Sequence, residues 1–117
     1  MNAVFEAMED MGAEAEETLE RLCGDETMYL HYLKDFHKNE NLPNLRGAIA
    51  AQDNAKALRE AHTLKGVALN LGLLPIADPC IEMVRLFRAD KQEEAVALLP
   101  EIEEQFKLWT EFIAQNC

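Results

Sequence analysis

Leu58, Ala61, Leu64, Ala68 and Leu71 recur at intervals of three and four residues. That spacing returns to one side of an α-helix at every turn and leaves the other side polar. Such a chain is committed to helices that bury one face against other helices. The same period runs through most of the 117 residues, with Ala, Leu, Glu and Lys abundant and β-branched residues sparse. The fold class read from it is all-α: an antiparallel four-helix bundle, up-down-up-down, with short extra helices at the N-terminus. Its length fits one domain over 1–117, a helical segment over 1–23 packed on a bundle over 26–115.

Breaks in the pattern set the boundaries. Gly24-Asp25 closes one helix and caps the next, which runs over 26–38 and carries Tyr29, Leu33 and Phe36 as its core stripe. A short helix follows over 44–51. Asp53 caps a helix over 54–71, and Gly72 ends it. The next begins near Pro75 or Pro79 and runs to Ala89, irregular at its start because proline has no N–H to donate. Asp90 and Glu93 have capping-box spacing. They open a last helix that reaches Gln115, kinks at Pro100 and packs Phe106, Trp109, Phe112 and Ile113, with part of Trp109 at the surface. The helices from Glu26, Asn54, Pro75 and Lys91 are the four main members.

Several function classes are excluded by what the chain lacks. No apolar run approaches the roughly 18 residues a membrane span needs. The acidic start, with Glu6, Glu9 and Asp10, suits neither a signal peptide nor a transit sequence. Cys23, Cys80 and Cys117 lie far apart without metal spacing, which points to reduced thiols in the cytoplasm. His31 and His37, six residues apart, fall on different helix faces, so no metal or cofactor is expected. No glycine-rich phosphate loop is present, hence no ATP site of its own.

The net charge of −11 argues against nucleic acid as a partner. It is unevenly spread: residues 1–45 carry −8 and residues 92–117 carry −5, whereas residues 46–91 carry +2. The one positive segment contains His62-Thr63-Leu64-Lys65-Gly66. With Ala61 at the centre of the buried face, His62 lies at about 100°, Lys65 at about 40° and Gly66 at about 140°. Lys65, three residues on, shares a face with the imidazole, and its long stem can snorkel outward past the ring. Gly66, four residues on, leaves the space over the ring empty. Glycine inside a helix costs about 1 kcal/mol relative to alanine. A lysine turned toward the core costs desolvation as well, and two unfavourable choices beside one histidine indicate function. A neutral imidazole is a nucleophile near pH 7, a nearby cation offsets phosphoryl charge, and in-line transfer needs open space. Arg59, Arg85 and Arg88 add longer-range positive potential.

These residues resemble the signature of histidine-containing phosphotransfer (HPt) domains, H-x-[LI]-K-G followed by a small residue and a later glycine, here His62, Leu64, Lys65, Gly66, Ala68 and Gly72. The flanking Leu45, Ala48, Ile49, Asp53, Leu58 and Ala61 are similar too, and the likeness spans nearly the whole chain. It implies a phosphoryl carrier, not an enzyme with its own catalytic cycle. His62 would exchange phosphate with the aspartate of a response-regulator receiver domain, fed by a hybrid sensor histidine kinase. Lys65 would assist the phosphate and Gly66 would open access to it. Mg²⁺ would belong to the receiver, and this chain would bring no cofactor. Arg59, Val67, Leu69 and Leu73 are the expected partner surface, and a monomer the expected state. Two positions depart from the family: Val67 stands where serine is frequent, and Val84 where some members hold the imidazole with glutamine. A helical adaptor that binds a receiver or kinase domain without phosphorylation is the alternative.

Overall fold

The computed structural model describes residues 2–117, so Met1 of the expected 1–117 domain lies outside the described residues. Eight α-helices follow in order: α1 (Ala3–Asp10), α2 (Ala15–Arg21), α3 (Glu26–Asp35), α4 (Asn41–Ala50), α5 (Asn54–Asn70), α6 (Leu74–Arg88), α7 (Gln92–Val96) and α8 (Leu99–Asn116). There is no strand among the described residues. Asn2, Asp25 and Asp53 cap α1, α3 and α5, each side chain accepting an amide N–H from the first turn. That satisfies one of the donors every helix start leaves open.

The bundle closes as a ring. α5 packs between α4 and α6, α6 packs on α8, and Arg46 of α4 reaches Glu103 of α8 at 2.9 Å. Here the short helix before the histidine segment proves to be more than a connector. α3 and α4 share one flank, α3 against α8 and α4 against α5, with a 3-10 turn at Phe36–Lys38 between them. Phe36 seals that break by packing on Phe106 at 4.9 Å. α4 also starts earlier than its apolar pattern indicates, at Asn41. Pro43 is tolerated there because a helix's first amides need no intrahelical acceptor.

Three further expectations are corrected. Asp90 does not cap the last helix. It adopts φ +57° and closes α6, and Lys91 N–H bonds back to Leu86 O at 2.9 Å. The last helix is divided rather than kinked. α7 ends at Val96, and α8 starts at Leu99 with Pro100 in its first turn, where proline's missing N–H costs nothing. Trp109 is wholly buried, and its indole N–H has no partner among the described residues.

The N-terminal segment grips the turn joining α5 to α6. Glu14 N–H donates to Gly72 O at 2.8 Å. Arg21 donates to Leu69 O at 3.2 Å and to Asn70 O at 3.3 Å, and Tyr29 Oη donates to Leu71 O at 2.6 Å. The carbonyls that end α5 are thus satisfied by side chains more than forty residues away. Gly72 is required at this point for two reasons. Its φ is +73°, and a β-carbon there would lie within 3 Å of Thr18 Oγ1 and Glu14 O.

Candidate functional site

α5 buries Ala57, Ala61, Leu64, Ala68 and Leu71, a seam stepping four, three, four, three. The seam's centre lies about 40° further round than a face centred on Ala61. His62 therefore stands about 140° from the core, further out than its sequence reading placed it. It is exposed. Lys65 falls on the flank of the seam, half-buried at its stem, and Gly66 lies almost opposite the core.

The space over the ring is open in the structure. A β-carbon built on Gly66 meets nothing within 4 Å, and its backbone is ordinary helix. Neither packing nor conformation calls for glycine there. Lys65 has no carboxylate within 4.0 Å among the described residues. Lys65 lies one turn along α5 from His62, and side chains at i and i+3 are neighbours. Of the other two histidines, His31 lies 3.5 Å from Asp35, and His37 Nδ1 is 2.6 Å from Lys34 O. His62 has no such engagement.

The remaining site residues divide. Arg59 is exposed one turn before His62, and Leu69 is 36% exposed two turns after it. Val67, half-buried, lines a groove of about 640 Å³ between α5 and α2–α3, with Tyr32 and Phe36 on its far wall. That groove takes Val67, Asn70 and Leu71 from α5 but not His62. Leu73 is a correction. It is fully buried under the α5–α6 turn and offers nothing to a partner. It lies beyond Gly72, past the end of α5, where tertiary packing decides which way a side chain points. Arg85 is largely spent on Glu82, with Nε 2.9 Å from the carboxylate, and that guanidinium holds the Glu82 carboxyl below its usual range. Val84 is buried and points away from solvent. The His62 ring thus gains no support from that position.

Sequence reading placed Tyr29 in the core but missed the hydrogen bonds by which Tyr29 and Arg21 fix the end of the histidine helix. Nothing local marks them, because their acceptors are backbone carbonyls. Cys80 is buried, its thiol pushed up to about 12, so it is inert as a nucleophile near neutral pH.

What remains is an exposed ring, with Lys65 one turn along and unpaired among the described residues, and an empty position over Gly66. Small-substrate enzymes usually enclose their substrate in a cleft. This arrangement instead suits a reaction centre brought by a second protein. No helix among the described residues is long and apolar enough to cross a membrane. The family model described as Hpt domain matches residues 37–113. No curated protein and no solved structure is detectably similar to the chain.

Proposed function

The chain belongs to the Hpt domain family, and from that premise we propose that His62 is the residue that carries the phosphoryl group. Hpt domains are histidine phosphotransfer carriers in phosphorelay signalling, and they work with receiver domains and kinases of two-component systems. For this chain the donor and acceptor are the aspartate of a receiver domain. The unprotonated ring nitrogen of His62 attacks phosphorus, an N–P bond forms, and the bond from phosphorus to the aspartyl oxygen breaks. The aspartate leaves as a carboxylate, and the reverse passage returns the group.

Lys65 draws close to the phosphoryl oxygens as charge redistributes among them, which favours the transferring group electrostatically. Gly66 keeps the in-line path clear for the incoming aspartyl phosphate. Val67 and Leu69 form the apolar margin of the docking area, and Arg59 its positive edge.

One observation carries this reading: the exposed imidazole has a free cation one turn away and an empty position above it. Incubation with a ³²P-phosphorylated receiver domain tests it. Label is expected to move to this chain in a form that is acid-labile and base-stable, and to be absent from His62→Gln. Binding of the receiver without any transfer favours the adaptor reading instead.

A further inference from the structure

The Asp53 carboxylate caps the start of α5, but the charges within the helix run against its dipole. A helix is stabilised by carboxylates in its first turn and by cations in its last. α5 has no acid in its first turn and no base in its last. Lys56 and Arg59 occupy its first two turns, both exposed. The base its C-terminus lacks is supplied from α2 by Arg21.

Nor are these cations neutralised. Glu60 is the one carboxylate within α5, and it accepts Asn41 Nδ2–H at 2.8 Å on the side facing α4. Lys56, Arg59 and Lys65 have no carboxylate within 4.0 Å among the described residues, as is true of every lysine and arginine there except Lys38, Arg46 and Arg85. In a chain of net charge −11, three unpaired cations on one helix do little for stability.

Their spacing organises them around the site. Lys56, Arg59, His62 and Lys65 follow at three-residue intervals, a ridge that shifts about 60° round the helix at each step and climbs roughly 13 Å. His62 sits inside the row. The segments on either side of this one in the sequence carry −8 and −5. An acidic partner is therefore repelled by much of the protein and attracted along this ridge.

We propose that Lys56 and Arg59 are recognition residues that steer and orient the acidic surface around a receiver's phosphorylated aspartate. This rests on the assignment of His62 and adds the determinant of partner approach. A partner carrying an aspartyl phosphate presents negative charge at the point of transfer by its own chemistry. The row sets two cations, Lys56 and Arg59, on the N-terminal side of His62 and one, Lys65, on the other. It thereby sets a direction of docking as well as a rate of encounter.

The test compares wild type, Lys56→Gln/Arg59→Gln and Lys56→Glu/Arg59→Glu as acceptors from a phosphorylated receiver domain across a salt series. At low salt the glutamine pair should lower kcat/KM by roughly tenfold, through KM, and the glutamate pair by more. Both differences should shrink as salt screens them. Thermal midpoints should stay level or rise, because the removed charges oppose the dipole. Transfer kinetics and salt dependence equal to wild type, in a system where His62→Gln abolishes labelling, overturn this inference alone. Absence of label on wild type itself overturns the His62 assignment and this inference with it.

Discussion

The hydroxyl of Tyr29 donates to the carbonyl oxygen of Leu71 at 2.6 Å, joining α3 to the residue that caps the end of α5. The ring is fully buried and stacks on Phe5 at 5.0 Å. The histidine helix is thus anchored at its C-terminal end, two turns beyond His62, by residues outside the segment that matches the family model.

That burial has a pH signature. Desolvation pushes the Tyr29 phenol up to about 12, against about 10 in an unfolded chain. The folded state therefore holds the phenol proton more tightly. The associated stability is intact below about pH 10 and is lost as pH rises toward 12. Cys80, also pushed up to about 12 by burial, adds a loss that begins near pH 9. Urea unfolding across pH 8–12 should show falling stability, with a shallower fall in Tyr29→Phe above pH 10. At pH 7 that variant should lose about 1–3 kcal/mol, because Leu71 O is left without its donor. An unchanged alkaline slope would contradict the assignment.

Gly66 and Gly72 should respond to alanine with opposite signs. Gly66 has helical backbone and open space, so Gly66→Ala should raise stability by about 1 kcal/mol while slowing phosphotransfer. Gly66→Leu should block transfer outright. Gly72→Ala should cost about 2–4 kcal/mol, since it combines a left-handed backbone with contacts on Thr18 and Glu14 that cannot relax. Thermal melts paired with transfer rates check both. A destabilised Gly66→Ala would show that the glycine serves packing.

Lys65→Ala should leave the fold within about 0.5 kcal/mol of wild type, since the amine holds no ion pair among the described residues. Transfer should slow by roughly tenfold or more, and Lys65→Arg should recover part of that loss by restoring the charge. A large drop in thermal midpoint for Lys65→Ala would place the side chain in the packing instead.

Periodicity carried much of the fold. The helix at 54–70, its Asp53 cap and most of its seam follow from spacing, because a helical wheel depends only on local sequence, although Ala57 rather than Leu58 completes the buried face. The hydrogen bonds of Arg21 and Tyr29 were invisible to that logic, since the partners lie 42 to 49 residues away. Leu73 failed for a related reason. It belongs to a turn, where the wheel no longer says which way a side chain points, and tertiary packing buries it. Asp90 had the residue type of a cap, yet the chain used its tolerance for a left-handed conformation to end the preceding helix. The site residues themselves were legible because His62, Lys65 and Gly66 sit within two turns of one helix.

The most direct test is to locate the phosphoryl group among His31, His37 and His62 by peptide mapping under alkaline conditions after reaction with a phosphorylated receiver. The expected result is modification of His62 alone, with none in His62→Gln. Phosphate found on His31 or His37, with His62 unmodified, would contradict the account.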